Sequence, residues 1–399
     1  MAFGQSSDPA DAPGPVSPVN RRDPSGARSA ASSAEAAAAA PRNVHVVDPV
    51  PYRPSHRERL RSFMRAHGRK LWWLHSAYAL GLGVTVVAFA QKGFDHARWL
   101  AVSIGAAWLL VVLFFRLFGS GRQQARLESA GAKVRIRFFA MTYALKNLYQ
   151  GMLFFLLPFY WKSTTFWAQN SWFVVLLGAC ALLSTLDIVF DRVVFRFRAL
   201  ASLFHGVALF GCCNLVVPAL FPDTRTLYSL LVAMGITVVG FWTIHVSLAM
   251  LRDRRWVAMF FLSAGAALGG AYAARTAIPP VPMYVSKGAV GPIVLPDGRL
   301  GMVVHELHPS VIDRLIAITD VVVPGGKGDS LVHVWRHDGD EVHRATETTS
   351  RVDGPEGTIR LRSGLTGRQL PKRLVGRWAI DVETQDGQLV GRVSFLVAD

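Results

Sequence analysis

The sequence predicts an α-helical polytopic membrane bundle followed by an all-β antiparallel sandwich. Three observations predict this fold class: long apolar stretches in the middle of the chain, basic residues that alternate from many to few between them, and short alternating runs with Asp-Gly turns after residue 279. Each stretch is close to the ~20 residues that a helix needs to cross a bilayer. About seven transmembrane helices are predicted, at residues 71–90, 99–118, 138–161, 171–190, 200–221, 227–251 and 256–277.

The residues before the first apolar stretch form two segments of different character. Residues 1–55 are rich in Ala, Pro, Ser and Asp and cannot bury a core, so we predict a disordered cytoplasmic tail. They contain no apolar run of the kind that a secretory signal needs. Residues 56–70 carry six Arg and Lys side chains and are predicted to form a basic juxtamembrane segment on the lipid surface.

The formal net charge of +16 comes entirely from the first part of the chain. Residues 1–278 carry 29 Lys and Arg against 12 Asp and Glu, whereas residues 279–399 carry 14 against 15. The positive charge flanks apolar helices, where it faces anionic lipid. It therefore indicates the lipid bilayer as a partner and argues against nucleic acid, because no basic and aromatic-rich soluble module is present.

The loops between the apolar stretches predict the orientation of the chain. Eleven basic residues follow the second, fourth and sixth stretches, whereas four lie in the intervening loops. Because cytoplasmic loops carry the excess of Lys and Arg, the N-terminus is predicted to be cytoplasmic. Seven crossings of a bacterial inner membrane then place the C-terminal domain in the periplasm, and one helix more or fewer would reverse this result.

From residue 279 onward the sequence changes to β character. We predict a linker and leading strand at 279–314 and a periplasmic β-sandwich domain at 315–399. Asp-Gly pairs at Asp297, Asp338 and Asp386 are strong hairpin signals, and the strand spacing is typical of a small Ig-like sandwich. The predicted strands are 301–307, 315–323, 331–337, 341–348, 358–363, 378–384 and 389–397.

Short motifs in the C-terminal part carry a resemblance to a known family. They are His333-Val334-Trp335, Asp338-Gly339-Asp340-Glu341-Val342, Arg360-Leu361-Arg362-Ser363, Gly376-Arg377-Trp378-Ala379-Ile380-Asp381-Val382, Asp386-Gly387-Gln388-Leu389-Val390-Gly391 and Ser394-Phe395-Leu396-Val397. With these motifs the segment from Leu315 to the end resembles the bacterial domain of unknown function 2914. Leu361 stands where that family usually has an aromatic residue. The membrane part resembles the domain of unknown function 5924, and neither resemblance implies an activity.

Polar residues inside the apolar stretches form the first candidate site. They lie in the cytoplasmic half of five predicted helices and are His75, Lys146, Asn147, Asp187, His205 and His245. Because ionisable groups in hydrocarbon usually face protein or water, one hypothesis is a cytoplasm-facing cavity with a Lys146–Asp187 ion pair. The alternative is that Lys146 extends to the interface, Asp187 lies at the membrane surface, and the histidines form hydrogen bonds between helices.

A second candidate site lies on the periplasmic domain. The candidate surface consists of His333, Trp335, His337, His343, Arg362 and Trp378. The two tryptophans form either an aromatic platform for a glycan or peptide or part of the core, with the strand alternation favouring the core. His333 would then be a buried or edge histidine bonded to backbone. The histidine spacing on strands is unsuited to chelation and the domain has no cysteine, so no metal is predicted.

The function expected from the sequence is binding rather than catalysis. The chain has no Gly-x-Ser-x-Gly, phosphate loop, dinucleotide fingerprint or His-Glu-x-x-His motif, and no cofactor is predicted. We expect a non-enzymatic membrane protein whose periplasmic domain binds an envelope protein or glycan ligand. The alternative is a transporter or intramembrane enzyme that uses a polar cavity with Lys146, Asp187, His205 and His245.

Overall fold

The computed structural model describes residues 97–119, 131–186, 190–247, 249–296, 300–324, 329–345, 349–351 and 357–399, together with 67, 77–78, 80–81 and 83. The predicted tail at 1–55 and most of the segments at 56–70 and 71–90 lie outside the described residues, as do His75, Asp187 and the Asp297 turn. The chain divides into two compact units, Met1–Arg59 and Leu60–Asp399, and every described residue belongs to the second.

Within the described residues, six α-helices lie on the last six predicted apolar stretches. They are α1 (Ala97–Phe118), α2 (Ala132–Lys162), α3 (Ser171–Thr185), α4 (Arg198–Leu220), α5 (Thr226–His245) and α6 (Arg254–Ala273). Helix α2 begins six residues before the predicted start, because a helix tolerates the exposed basic residues at 133, 135 and 137 in its first turns. Helix α3 ends five residues early, and a π-helical turn follows at Phe190–Val194.

Four of the described helices are long and apolar enough to cross a membrane. They are α1 from Trp99 onward, α4, α5 and α6. Helix α3 has 15 residues and spans about 22 Å at ~1.5 Å per residue, which is less than the ~30 Å of a bilayer core. Helix α2 has 31 residues, but its apolar part is interrupted by the buried Lys146. The described helices therefore support membrane association.

Aromatic side chains form the core of the bundle where α1, α2 and the π-helical region meet. The Phe114 ring lies 5.5 Å from Phe118, 5.4 Å from Phe138 and 4.9 Å from Phe195, measured between ring centroids. These tilted and edge-on contacts are the arrangements that aromatic pairs prefer. A single core cluster continues from these rings through all the long helices.

The C-terminal region forms two β-sheets from nine described strands. They are β1 (Tyr284–Gly291), β2 (Glu306–Leu307), β3 (Arg314–Val322), β4 (Leu331–His337), β5 (Asp340–Ala345), β6 (Thr349–Arg351), β7 (Thr358–Thr366), β8 (Gly376–Thr384) and β9 (Leu389–Val397). The four-stranded sheet has the order β1-β3-β7-β6, and the five-stranded sheet has the order β2-β9-β8-β4-β5. Side chains from both sheets share two hydrophobic clusters, so the sheets pack face to face.

The pairing within the sheets departs in one place from the predicted antiparallel pattern. The two-residue strand β2 pairs with β9 in parallel, and all the other named pairs are antiparallel. The predicted hairpins at Asp338 and Asp386 are confirmed, since they join β4 to β5 and β8 to β9. Asp338 and the glycine after it have φ angles of 50° and 99°, as a tight two-residue hairpin turn requires.

The segment predicted as linker and leading strand, 279–314, contains an earlier strand that sequence reasoning missed. Strand β1 pairs along its length with β3, from Tyr284 opposite Val322 to Gly291 opposite Ile316. Its central residues Ser, Lys and Gly at 286–288 are exposed, so the run lacks the apolar alternation of a half-buried strand. The β-region therefore begins at Tyr284, about thirty residues before the predicted start of the sandwich.

Two glycines allow the edge of one sheet to lie against the other. A Cβ atom on Gly288 of β1 would lie 2.3 Å from Val393 of β9, and one on Gly391 of β9 would lie 2.4 Å from Val285 of β1. Because glycine has no Cβ atom, the valine side chain of each facing strand can pack directly on the glycine backbone. The close approach of β1 to β9 forms one wall of the site described below.

Candidate functional site

The β-region is joined to one end of the helical bundle by buried hydrogen bonds. The Thr226 hydroxyl at the start of α5 donates to Gln388 Oε1 at 2.8 Å, and both residues are buried. Asn170, before α3, donates from Nδ2 to the Leu389 carbonyl at 3.1 Å. Because successive helices with short connections run antiparallel, the end of α2, the start of α3, the start of α5 and the end of α6 share this end.

Acidic residues of the β-region complete the junction. Asp329 Oδ2 accepts the Thr226 backbone N–H at 2.9 Å, so this carboxylate caps the N-terminus of α5. Burial raises the pKa of Asp329, and the nearby Asp386 carboxylate adds to this effect. Arg275, after α6, donates from Nε to the Asp386 backbone carbonyl at 2.7 Å. The helix ends thus hold both the 329–330 segment and the β8–β9 turn.

A basic cleft lies beside this junction, between the α2–α3 connection and the neighbouring strands β1 and β9 of the two sheets. Its volume is about 520 Å³. The polar side chains that line it are those of Lys162, Thr164, Thr165, Ser286, Lys287, Arg392 and Ser394. Among the described residues that line the cleft, none is acidic and none is His or Cys. The cleft therefore attracts anions and offers hydroxyl groups as hydrogen-bond donors.

An apolar groove of about 630 Å³ adjoins the basic cleft. It lies between the end of α2 and α3, and its apolar lining consists of Leu157, Pro158, Trp161, Val174, Val175 and Gly178. Lys162 and Phe166 line both the groove and the cleft, so the two spaces meet at these side chains. A hydrocarbon surface in the groove is thus continuous with a cationic surface in the cleft.

Two hydroxyl groups of the α2–α3 connection are left without partners. Ser163 Oγ and Thr165 Oγ1 are buried and form no hydrogen bond with the described residues. By contrast, the Thr164 hydroxyl donates to the Tyr160 carbonyl at 2.6 Å. Since a buried polar group without a partner costs about 1–3 kcal/mol, Thr165 in the wall of the cleft gains from any acceptor placed beside it.

An arginine and carboxylate network covers the outer face of the five-stranded sheet. Asp381 is 1% exposed and lies under two arginines: Arg336 Nε donates to Oδ2 at 2.7 Å, and Arg392 Nε donates to Oδ1 at 2.5 Å. Glu383, 6% exposed, accepts bonds of 3.0 Å from Arg336 and Arg344. Hydrogen bonding to Asp381 raises the pKa of Arg392. The network fixes Arg392 at the edge of the cleft.

A third cavity of about 790 Å³ continues from the cleft along this outer face. It shares Arg392 and Ser394 with the cleft and is also lined by Arg336, Arg377 and Asp338. Asp338 Oδ1 accepts the Arg377 backbone N–H at 2.8 Å, which fixes the β4–β5 turn against β8. A polar surface that contains arginines and Asp338 thus extends away from the helices.

Three members of the predicted periplasmic surface are core residues. His333, Trp335 and Trp378 are 0%, 0% and 1% exposed. Their rings lie between the two sheets, so they cannot form an exposed aromatic platform. His333 also differs from the expected backbone bonding: Nε2 lies 2.7 Å from Thr319 Oγ1, and Nδ1 lies 2.7 Å from Ser363 Oγ. Burial lowers the pKa of His333 to about 4.

The other predicted surface residues do not form one site. The His337 ring packs at 4.7 Å on Trp378, with Nε2 lying 3.2 Å from the Val375 carbonyl oxygen. His343 pairs with Trp335 across β4 and β5, whereas His337 pairs with Asp340. Arg362 is exposed on β7, in the other sheet. In the described part of the chain no three His, Cys, Asp or Glu residues form a metal-ligand group.

The predicted intramembrane cluster separates into buried pairs and an exposed residue. His205 is 2% exposed, with Nδ1 lying 2.7 Å from Tyr149 Oη, whereas its Nε2 is buried without a hydrogen-bond partner among the described residues. His245 Nε2 lies 2.7 Å from Ser202 Oγ, one turn before His205 on α4. These pairs agree with the alternative of hydrogen bonds between helices.

Two further members of the cluster lie on α2. Lys146 is 6% exposed, so its side chain is buried within the described structure. Asn147 is exposed, and its Nδ2 donates to the Tyr143 carbonyl of its own helix at 2.8 Å. Since His75 and Asp187 lie outside the described residues, the Lys146–Asp187 ion pair stays a prediction.

Sequence reasoning did not find the cleft, for a physical reason. Lys162, Lys287 and Arg392 are each more than a hundred residues from the next, so no local motif marks them. Lys287 lies in the segment that the sequence assigns to a linker. The one available signal is the pair of glycines, Gly288 and Gly391, whose mid-strand positions indicate close approach of another backbone.

Comparison with known families agrees with both resemblances. A model described as "Family of unknown function (DUF5924)" matches residues 45–300, which include the six helices and β1. A model described as "Protein of unknown function (DUF2914)" matches residues 328–397, which include β4 to β9. A search of curated proteins found no match to the chain. Because the first model covers more than half of the chain, the protein belongs to the DUF5924 family of unknown function.

Proposed function

We propose that this protein is a multi-pass bacterial inner-membrane protein that binds an envelope partner or ligand without catalysing a reaction. The N-terminus is cytoplasmic, seven helices cross the membrane, and the β-region is an Ig-like sandwich in the periplasm. The observation that carries the proposal is the basic cleft at the junction, which is formed jointly by the α2–α3 connection and by β1 and β9.

The distribution of charge along the helices supports this orientation. The basic residues of the bundle concentrate at the end opposite the β-region, namely Lys133, Arg135, Arg137, Arg196, Arg198, Arg252, Arg254 and Arg255. The end beside the β-region has Arg98, Lys162, Arg225 and Arg275. Since cytoplasmic ends carry the excess of Lys and Arg, the β-region lies on the periplasmic side.

Exposed aromatic residues support a membrane interface beside the β-region. They lie at the helix ends and in the connections there and are Trp161, Phe166, Trp167, Trp172, Phe221, Tyr228 and Tyr272, each at least 49% exposed. Trp and Tyr concentrate at the level of lipid headgroups, where an apolar ring meets polar surroundings. The same level contains the cleft, so a ligand there is reached from the membrane surface.

The chemistry of the cleft favours binding over catalysis. Its described lining supplies ammonium, guanidinium and hydroxyl groups, which bind anions. Arg392 is fixed by its salt bridge to Asp381 and is therefore not placed as a general acid. General acid–base catalysis requires a group that has a pKa near neutrality and lies within reach of the reacting atoms. His333, the buried histidine of the domain, is enclosed between the sheets and does not line the cleft.

Topology is tested with reporters at both ends of the full-length chain in bacterial cells. Alkaline phosphatase, active only in the periplasm, is expected to be active at the C-terminus and inactive at the N-terminus. Photo-crosslinking at Ser286, an exposed residue of the cleft, is expected to trap an envelope component, whereas the exposed Asp313 outside the cleft is the control position. A cytoplasmic C-terminus contradicts the proposal, as does equal crosslinking at both positions.

One observation favours the alternative of a transporter or intramembrane enzyme: His205 Nε2 is buried and has no hydrogen-bond partner among the described residues. A buried histidine nitrogen without a described partner is a group that a substrate or proton can use. The polar cavity would include Lys146, Asp187, His205 and His245. Proton or solute uptake into vesicles containing the purified chain tests this function. Uptake that is abolished by His205→Phe and by Lys146→Met, while crosslinking at Ser286 stays unchanged, favours the alternative.

A further inference from the structure

We propose that the ligand is an anionic glycerophospholipid, with its phosphate headgroup in the basic cleft and an acyl chain in the adjoining apolar groove. This inference rests on the proposed function, since it takes the junction to lie at the membrane surface. It names the ligand class and assigns each part of the lipid to residues that the structure brings together.

The groove has the properties that an acyl chain requires. Its walls are the apolar side chains of α2 and α3, and Trp161 stands at its edge in edge-on contact with Phe166, with ring centroids 4.5 Å apart. Gly178 on α3 lines the groove, and a Cβ atom at this position would meet no atom within 4 Å. The absence of a side chain at this position leaves open space in the groove, whose total volume is about 630 Å³.

The cleft has the charge that a phosphodiester headgroup requires. Lys162 and Lys287 are exposed, and neither forms a salt bridge with a carboxylate in the part of the chain that the structure describes. The Lys162 ammonium lies 5.4 Å from the Tyr284 ring centroid, so its position over β1 is defined. Thr165, whose hydroxyl has no described partner, stands between the helix end and the cleft.

The continuity of the two spaces distinguishes a lipid from other anions. Lys162 and Phe166 line both spaces, so the charged and the apolar surfaces meet at one point, as headgroup and acyl chain do in a lipid. A free phosphate or a soluble acidic ligand has no apolar part that would occupy the groove. An apolar molecule has no negative charge that would pair with the cations. An anionic amphiphile satisfies both surfaces at the depth where exposed aromatic residues mark the interface.

The test measures lipid retention by the full-length chain in detergent, using native mass spectrometry. Long-chain phosphatidylglycerol is the anionic probe and long-chain phosphatidylcholine is the zwitterionic comparison. The wild-type chain is expected to retain phosphatidylglycerol preferentially. Combined Lys162→Gln and Lys287→Gln substitutions are expected to weaken its retention about tenfold, because two charge-assisted contacts to phosphate are removed.

The matched control for charge is the combined Lys372→Gln and Arg373→Gln variant. It removes the same two positive charges from exposed positions of the β-region that do not line the cleft. If general attraction to anionic lipid explains the retention, both double variants lose it equally, and this result overturns the proposal. Monodisperse elution and unchanged protease resistance are required of each variant, so that unfolding is recognised.

The apolar part is tested by Gly178→Leu, which places a side chain in the open groove. Retention of phosphatidylglycerol is expected to fall at least about threefold, because the leucine occupies the space of the acyl chain. Gly265→Leu on α6 is the matched control, since that glycine is also helical with no atom within 4 Å of its Cβ position, yet lies outside the groove. Equal effects of the two substitutions contradict the proposal.

Competition with water-soluble glycerophosphate separates a lipid from a free anion. Displacement of the lipid by equimolar glycerophosphate would mean that the cleft binds the phosphate alone, and this result overturns the lipid assignment. The topology reporters test the proposed function independently of the lipid assay. A periplasmic C-terminus without preferential retention overturns only the lipid inference, whereas a cytoplasmic C-terminus overturns the proposed function whatever the lipid assay shows.

Discussion

Thr226 and Gln388 are 162 residues apart in the chain, yet the Thr226 hydroxyl donates a 2.8 Å hydrogen bond to Gln388 Oε1. Both side chains are buried, one at the start of a helix and the other at the turn between β8 and β9. Gln388 also donates its backbone N–H to Thr384 Oγ1 at 3.1 Å, which fixes the turn that carries it. This pair joins the helical bundle to the β-region at the junction beside the basic cleft.

Replacing Gln388 by leucine is expected to weaken the junction. The substitution keeps much of the volume but leaves the buried Thr226 hydroxyl without its acceptor, at a cost of about 1–3 kcal/mol. Hydrogen exchange of the first turn of α5, followed by mass spectrometry of the full-length chain, is expected to become faster.

A double-mutant cycle with Thr226→Val isolates this hydrogen bond. If Gln388 and Thr226 stabilise the junction through their mutual hydrogen bond, the double variant loses less free energy of unfolding than the two single variants lose together. The difference, which is the coupling free energy, is expected to be about 0.5–3 kcal/mol. Additive losses would show that the two side chains act independently.

The close approach of β1 and β9 predicts that Gly391→Ala destabilises the β-region. The added methyl group would lie 2.4 Å from Val285, so one strand must shift, at a cost of about 1–3 kcal/mol. Thermal unfolding of the full-length chain, followed by the loss of β-sheet circular dichroism, measures the effect. Gly367→Ala is the control, since no atom lies within 4 Å of its Cβ position; an equal loss of stability there would contradict the steric explanation.

The buried carboxylate of Asp381 is expected to be important for stability. Asp381→Ala leaves Arg336 and Arg392 side by side without the anion between them. Breaking a buried pair costs ~3–5 kcal/mol, and because the arginines are about one-third exposed and can turn to water, we expect about 2–3 kcal/mol. The unfolding midpoint in denaturant is the measurement.

Glu341→Ala supplies the comparison for this network. The side chain of Glu341 is 40% exposed and pairs with Arg344, whose hydrogen bond lowers the pKa of the carboxyl group. Exposed pairs contribute about 0.2–1 kcal/mol, so this substitution is expected to have a small effect. A loss as large as that of Asp381→Ala would show that burial does not determine the contribution of these carboxylates.

His333 is expected to make the β-region sensitive to acid. Burial lowers its pKa to about 4, below the ordinary value of 6.5. Between these values the unfolded chain binds more protons than the folded one. The contribution of neutral His333 to the stability of the folded β-region is therefore complete above pH 6.5. It is lost as the pH falls through 4, by about 3 kcal/mol in total.

Hydrogen exchange of β4 and β8 between pH 4 and 7, corrected for intrinsic exchange rates, measures this dependence. In His333→Asn the pH dependence is expected to be reduced, because the titrating group is gone. Thr319→Val removes a hydroxyl partner but keeps the histidine, so it is expected to lower stability and retain the pH dependence. An unchanged pH dependence in His333→Asn would assign it to other groups.

The sequence alone predicts the elements whose signals are local. The last six apolar stretches are helices, with ends that differ from prediction by up to six residues. The hairpins at Asp338 and Asp386 follow from turn chemistry that needs positive φ. The alternation along β8 places Trp378 in the core. Strand β1 escapes prediction because its exposed centre lacks a periodic signal, and the parallel pairing of β2 depends on a partner ninety residues away.

Such local sequence signals could not predict the candidate site. Its groove and cleft combine residues of α2, α3, β1 and β9, and the predicted surface residues His333 and Trp335 are instead enclosed between the sheets. Apolar periodicity and charge alternation are properties of neighbouring residues, so the sequence by itself determined the apolar helices, the β-region and the resemblance to the two families. Which cations face one cleft depends on contacts across more than a hundred residues, and only the tertiary structure decided that.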